Sequence, residues 1–579
     1  MIGSGQIIVD LLISGFNRIK IVYKLLMKFL IKYFIYNVLL CILLYNSTYS
    51  ADTQNIYIRL NQIGYRSQDI KTAVLMSITP LYVTRYDIKS LGSNKVLYSG
   101  TVIKLNHNYD KFKYCYSIDF SKFTLDGIYK IYIGNSSSYQ FRIKKNLYND
   151  VVDSLILFFR EQRCGPTDPI LHKKCHLSDA VRLMGDSDHT GNIDVTGGWH
   201  DASDYIKFLS TTAYTTYMLI FTYDFDKSKF GFDNDKDGVP DVLAEAKIGL
   251  DWLLRCNYSK YKLVTQVQDL KDHEVGFRMP ENDSLQYDRP AFAGIGKNQI
   301  GIYTATLAIA SRVWSARFKN YEFSKQCLNI AENLYSIRDK VPDIDTSGTG
   351  IYRDNTFWGK LALGAIELYL ATKNPSYLTD AMRYADRAGS DYWWSWGNIN
   401  SLADYRLAKI NPRFSAYILN NLNFFNTNKD SSVFNEGLAY SWGTTNSLLG
   451  VALQEILYKD LTGIDQFDTL AIDQRDYVLG RNPWGISFIY NIGTVYTKHF
   501  HSQIAYFNGG YLPGAVSAGP APEVLLKKYR INHNISSFDY FNSNSVKYYD
   551  DISNYITNEP TISSNATALF VYGFYSDRK

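Results

Sequence analysis

Disulfide-ready cysteines, net charge of one sign, long apolar runs and internal repeats are all scarce or missing in this chain, and each absence removes a class of protein. Only six cysteines occur in 579 residues. Cys41 falls in the leader described below, and the five others do not make a disulfide framework. The formal net charge is +5. Residues 1–50 supply most of it, with Arg18, Lys20, Lys24, Lys28 and Lys32 against Asp10. The remaining charges nearly cancel, which excludes a nucleic-acid footprint. No segment after residue 50 is long and apolar enough to span a bilayer. No repeat of fixed period is present, so a solenoid is excluded.

What is present points to a secreted chain with a large core. The hydrophobic content of 46% supplies that core. From Met27 the sequence reads Met-Lys-Phe-Leu-Ile-Lys, then an apolar run over 33–45, then Ser47, Thr48, Ser50 and Ala51. A charged start, a short apolar stretch and small residues form a secretory signal. Residues 1–51 are therefore read as a signal with an upstream extension, the true start being Met27. A retained anchor is the alternative. The expected location is extracellular or periplasmic, with no membrane association once the signal is removed. Aromatics make up 15% of the chain and include 48 Tyr, a stock suited to stacking on sugars or a compositional bias.

Residues 52–146 alternate apolar and polar positions in short runs with turns such as Leu91-Gly-Ser-Asn. The pattern predicts an immunoglobulin-like β-sandwich of about seven strands. From residue 149 helical spacing takes over. Nine clear segments, at 151–162, 241–257, 299–314, 323–340, 356–373, 377–388, 413–425, 442–461 and 467–479, carry apolar residues near i, i+3 and i+4. With weaker candidates the count is about twelve helices, in a mainly α domain over 149–579.

The chemistry concentrates in a few loops. Gly197-Gly-Trp-His-Asp-Ala-Ser-Asp-Tyr205 sets Asp201 and Asp204 three residues apart, able to share a water and accept its proton. A solvated acidic turn or a calcium loop is the plain reading. Glu559, in Tyr555-Ile-Thr-Asn-Glu559, is a candidate general acid or a helix-start acid favoured by the dipole. Trp199, beside charged residues, is expected to stay partly open. Paired and opposed carboxylates are what glycosidic-bond hydrolysis requires. Cys164, Cys175, His176 and His200 form a possible tetrahedral zinc set, unless Cys164 and Cys175 form a disulfide. The loop 233–241, with Asp233, Asp235, Asp237, Val239 and Asp241, has the alternation of a calcium loop. An acidic helix cap is the alternative. Trp358, Trp442, Tyr555, His499 and His501 are candidate substrate contacts, as are Trp199 and Tyr205.

Together these segments resemble family 9 of the glycoside hydrolases, the cellulase family with an (α/α)6 barrel, over nearly the whole chain after the signal. The 197–205 stretch is similar to the family's first signature, with Ser203 where glycine is usual. The stretch 477–487 (Tyr-Val-Leu-Gly-Arg-Asn-Pro-Trp-Gly-Ile-Ser) and Tyr555-x-x-Asn-Glu559 are similar to later ones. The resemblance implies an inverting hydrolase of β-1,4-glucosidic chains, with Asp204 as base, Asp201 as its partner and Glu559 as acid. Inversion calls for base and acid about 6.5–9.5 Å apart. It also implies structural zinc on Cys164, Cys175, His176 and His200, and structural calcium in the 233–241 loop, with no organic cofactor. A β-glucan or oligosaccharide is the expected partner of a monomeric protein. The family's His-His-Arg run is replaced here by Lys498-His-Phe-His-Ser, without arginine. An exo-acting β-glucosidase or glucosaminidase, or a non-catalytic carbohydrate-binding protein, is the alternative.

Overall fold

The computed structural model describes residues 20, 22–38, 56–348, 352 and 354–578. Residues 22–38 form a helix. The small residues expected to be the cleavage site, at 47–51, lie outside the described residues. No helix among the described residues is long and apolar enough to cross a membrane.

Alternation builds two sheets before residue 144. One runs in the order Ile56–Arg59, Thr72–Ser77, Tyr114–Asp119, Ile103–Lys104. The other runs Gly64–Tyr65, Phe141–Ile143, Gly127–Ile133, Arg85–Ser90, Val96–Thr101, with Ser136–Ser137 folded back on Gly127–Ile133. Thr72 opposes Asp119 and Ser77 opposes Tyr114 in antiparallel register. Of ten strands, seven have three residues or more, the number expected, and three are two-residue pieces. Polar side chains tie this sandwich to the helices. Asn61 Nδ2 donates to Asp476 Oδ1 at 2.8 Å, and Gln62 Nε2 to the Gly485 carbonyl at 2.7 Å.

Twelve helices of nine residues or more follow: α1 Asn149–Gln162, α2 Leu209–Phe225, α3 Asp241–Cys256, α4 Lys297–Phe318, α5 Tyr321–Ser336, α6 Trp358–Thr372, α7 Pro375–Ala388, α8 Asn400–Ala408, α9 Ser415–Lys429, α10 Thr444–Thr462, α11 Asp468–Val478 and α12 Ile562–Tyr575. Helices α2, α4, α6, α8, α10 and α12 pack each on the next, and α12 returns to α2. That closes an inner ring of six. Each of the other six lies outside a ring member, as α3 does on α2 and α1 on α12. This is the expected (α/α)6 barrel.

Sequence periodicity finds the outer helices and misses three inner ones, α2, α8 and α12. The reason is burial. In α2, Leu-Ser-Thr-Thr-Ala-Tyr-Thr-Thr-Tyr-Met-Leu-Ile-Phe-Thr-Tyr-Asp-Phe, fourteen of seventeen residues are buried. A helix covered on all sides has no polar face to betray its period. Two of its threonines satisfy themselves locally: Thr216 Oγ1 donates to the Thr212 carbonyl at 2.7 Å and Thr222 Oγ1 to the Met218 carbonyl at 2.6 Å. A small sheet not expected from sequence, Arg182–Met184, Pro290–Gly294, Leu263–Val267 and Lys207–Phe208 in that order, anchors the end of the 197–208 loop.

Candidate active site

The 197–205 loop owes its path to its glycines. Gly197 and Gly198 have φ of 95° and 72°, a region costly for other residues. A Cβ on Gly198 would come within 2.8 Å of Trp252. The turn drives Trp199 inward, where it is fully buried beside Phe159, ring centres 6.0 Å apart. The loop then emerges at Asp201. Gln162 Nε2 holds the Ala202 carbonyl at 2.5 Å, and the Ile562 amide at the start of α12 donates to the Asp201 carbonyl at 3.0 Å.

That last bond joins the two ends of the site. Glu559 precedes α12, and Ser203 Oγ donates to Glu559 Oε1 at 2.5 Å. Asn558, fully buried, braces Glu559 through bonds to the Tyr549 and Asp551 carbonyls. Asp204 and Glu559 line one cleft of about 1030 Å³. Burial, with the Asp204 charge adding to it, pushes Glu559 up to about 8. It is therefore a neutral, proton-carrying acid at pH 7. Asp201 is buried just behind. Burial pushes it up to about 7, with the Thr211 hydroxyl opposing and the Asp204 charge reinforcing. Asp204 stands more open, and its Oδ2 lies 2.8 Å from His273 Nε2. The hydrogen bond to that carboxylate holds the His273 imidazole above the usual histidine value.

Apolar rings make the rest of the wall. Trp442, Tyr529 and Tyr555 cluster on one side, with Trp442 and Tyr555 centred 5.6 Å apart. Phe277, Tyr506 and His501 continue the wall, His501 meeting both Phe277 at 5.3 Å and Tyr555 at 5.7 Å between ring centres. A second cavity of about 720 Å³ shares Phe208 and Tyr352 with the first and carries Trp396, so the groove continues past the acids.

Of the candidate substrate contacts, the structure brings Trp442, Tyr555 and His501 to the cleft and leaves four elsewhere. Trp199 is core, because the two glycines turn it inward. Tyr205 is also buried, packed on His200 at 4.7 Å with its hydroxyl on the Arg278 carbonyl. Trp358 lines neither cavity and packs on Phe357, Tyr384 and Arg387 instead. His499 points outward to Asp550, 3.2 Å away. Sequence reading passed over His273, Tyr352, Phe208 and Tyr529. His273 follows Asp272 with no motif around it, and the pairing with Asp204 spans 69 residues, so no local signal could have found it.

Among the described residues, two clusters could hold metal ions. Ligand atoms of Cys164, Cys175, His176 and His200 all lie within 4.8 Å of one another, fully buried. The two thiols are unbridged. Cys164 Sγ lies 3.5 Å from His176 Nδ1, Cys175 Sγ 3.8 Å from His200 Nε2, and the two imidazole nitrogens are 3.2 Å apart. A tetrahedron with zinc bonds of about 2.0–2.3 Å has edges of about this length. Burial holds His200 down at about 4, neutral and able to ligate. His176 turns its other nitrogen to Asp283 at 3.0 Å, the outer partner that orients a ligating imidazole. Through Asp283 the cluster reaches the 197–205 loop. Arg278 bridges Asp283 and Asp272 at 2.6 Å each, and Asp272 accepts the Tyr205 amide at 3.0 Å. The donor set fits zinc. In the 233–241 loop, Asp233, Asp235 and Asp237 converge. Asp241 instead accepts the Asn234 amide at 3.0 Å, and the Val239 amide donates to Asp237 at 2.8 Å. Three of the five expected ligands are thus gathered by their side chains.

Comparison with known proteins fits this architecture. The profile of glycosyl hydrolase family 9 matches residues 148–572, and that of the cellulase N-terminal ig-like domain matches residues 53–138. Endoglucanase D of Acetivibrio thermocellus is 24% identical over 510 residues, covering 80% of this chain and 78% of that protein. The crystal structure of a metagenome-derived glycoside hydrolase family 9 endoglucanase superposes with a TM-score of 0.79 at 24% identity, covering 90% of this chain and 99% of that one. The crystal structure of a Zn-binding triple mutant of GH family 9 endoglucanase J30 gives a TM-score of 0.78 at 22% identity, covering 89% and 100%. This chain belongs to glycosyl hydrolase family 9, with the immunoglobulin-like module of cellulases ahead of its barrel.

Proposed function

We propose that the protein is a secreted inverting hydrolase of β-1,4-linked glucans or their oligosaccharides. The observation that carries this reading is Glu559, neutral at pH 7, sharing one cleft with the carboxylate of Asp204 although 355 positions separate them in the chain. Glu559 gives its proton to the glycosidic oxygen as the C1–O bond breaks. Asp204, with Asp201 behind it, takes a proton from a water whose oxygen bonds to C1 from the opposite face. Trp442 and Tyr555 offer ring faces for the sugars on the way in. The endoglucanase names of the relatives, and a groove that runs on into the second cavity, support attack within a chain.

The buried Cys164, Cys175, His176 and His200 set would hold zinc in a structural role, bracing His200 beside Asp201. Asp233, Asp235 and Asp237, with the Val239 carbonyl and Asp241, would hold calcium at the start of α3. The last sandwich strand ends at Ile143 and α1 begins at Asn149, which supports one module over 52–146 and a catalytic domain over 149–579. The leader supports export, and a monomer is the reading for the whole.

His501 stands at the cleft in a loop without the family's arginine, and that favours a second reading, exo-action on short chains. Incubation with defined β-glucans, cello-oligosaccharides and chito-oligosaccharides separates the two by product length. Proton NMR of the first product tests inversion, which releases the α-anomer. Glu559→Gln and Asp204→Asn should each abolish turnover of these glycans, whose leaving groups need the proton, with the fold intact. Near-normal rates in both, or a β-anomer released first, would refute the assignment.

A further inference from the structure

Ser203 sits between Asp201 and Asp204, at a position where the family signature usually carries glycine. Both of its donors aim at one atom. The hydroxyl donates to Glu559 Oε1 at 2.5 Å, and the amide N–H points to the same oxygen at 3.4 Å. Ser203 is itself held still. It is 7% exposed, and its carbonyl accepts from Gln503 Nε2 at 3.2 Å. Gln503 is fixed in turn by the Arg278 amide, which donates to its Oε1 at 2.9 Å. On the other side Gln162 clamps the Ala202 carbonyl.

A neutral carboxyl has one carbonyl oxygen and one hydroxyl oxygen. The oxygen that accepts two donors is the carbonyl one, so the proton of neutral Glu559 resides on Oε2. Once that proton has left, the same two donors remain on Oε1 and stabilise the carboxylate formed. We propose that Ser203 is a positioning residue for the proton donor: it assigns the transferable proton to Glu559 Oε2 and makes its release easier. The inference rests on the reading of Glu559 as general acid. The proton passes from Oε2 to the glycosidic oxygen, and the electron pair of the broken C1–O bond stays on that oxygen. The attacking water bonds to C1 and yields its proton to Asp204. Solvent returns Glu559 to its neutral form and removes the proton from Asp204.

The groups that face Glu559 set its balance. Asp204 and Asp201 oppose its ionisation, and Tyr352, His273 and Tyr555 surround it. Burial and the Asp204 charge push it up, and the Ser203 donors pull against them. Without the hydroxyl, Glu559 becomes a weaker acid. The alkaline limb of the pH–rate profile then moves to higher pH, and bonds with poor leaving groups, which need the proton most, lose the most rate.

The test uses Ser203→Gly and Ser203→Ala with two aryl β-cellobiosides, one with a dinitrophenyl leaving group and one with methylumbelliferyl. Glycine is what the family usually carries here, so Ser203→Gly is expected to fold, and circular dichroism checks it. Ser203→Thr keeps a hydroxyl and should recover most of the lost rate. Both hydroxyl-free variants should lose about tenfold with methylumbelliferyl, the worth of one hydrogen bond to a charged group. They should lose several times less with dinitrophenyl, and their alkaline limb should rise. An unmoved limb, or equal losses on the two substrates, overturns the proposal. Glu559→Gln is the separate control. It must discriminate between the substrates more steeply than either serine variant, and if it does not, the assignment of the acid itself fails whatever Ser203 does.

Discussion

Replacing Glu559 with glutamine should make the fold more stable while it stops catalysis, and the gain should grow with pH. Glu559 is pushed up to about 8 in the folded chain, from an unfolded value of about 4.3. A carboxyl raised in this way binds its proton more tightly when folded. Its contribution is complete below about pH 4.3 and is lost as pH climbs through about 8. Linkage arithmetic for these two values gives a cost at pH 7 of about 3.6 kcal/mol. The side chain opens onto the cleft, and solvent screening reduces that to about 1–2 kcal/mol. Glutamine is uncharged and keeps an oxygen for the Ser203 hydroxyl. Unfolding entropy of about 2.1 cal/mol/K per residue amounts to about 1.1 kcal/mol/K for a chain of this size. Glu559→Gln should therefore raise Tm by about 1–2 °C at pH 7, by more at pH 8.5, and by nothing at pH 4.5. Differential scanning calorimetry of both proteins across that range is the assay. A Tm difference that stays flat with pH would refute the claim that the site holds this carboxyl neutral at a cost to the fold.

The pH–rate profile of the wild type should fall on the alkaline side near pH 8, because the donor must be protonated. A fall below pH 6 would contradict that. Trp442→Ala removes a ring from the cleft wall and should raise KM for cello-oligosaccharides about 5- to 30-fold, the worth of ~1–2 kcal/mol of aromatic contact, with kcat changed less. Metal analysis should find about one zinc per chain, and Cys175→Ser should lose it and lower Tm by several degrees. A metal-free wild type with full stability would remove the zinc assignment.

The loops of the candidate site are legible because their residue types are unusual where they stand. Two acids behind two glycines, and an acid after Tyr-x-x-Asn, stand out against solvated surface. The barrel was legible through its outer helices, such as α3 and α7, whose apolar stripes meet water on the far side. The inner helices α2, α8 and α12 hid because only one to three residues of each escape burial, against four to six in inner α4, α6 and α10, which periodicity does find. The aromatic contacts were read least well. Trp199 and Tyr205 look like sugar platforms by their neighbours in sequence, yet a glycine turn buries the first and the His200 ring packs the second. Which face of a loop meets the cleft depends on bonds such as Gln162 to Ala202, whose partners lie 40 positions apart. His273 shows the same limit, since nothing near it in sequence mentions Asp204.

The ring of inner helices is shut by its last member, and the acid stands at the entrance to that member. Synthesis therefore delivers Asp201 and Asp204, the proposed water-activating pair, early, and Glu559, the proposed proton donor, only after more than 350 further residues have left the ribosome. A protease that trims α12 and the turn before it would remove the proposed acid and unlatch the barrel in a single cut.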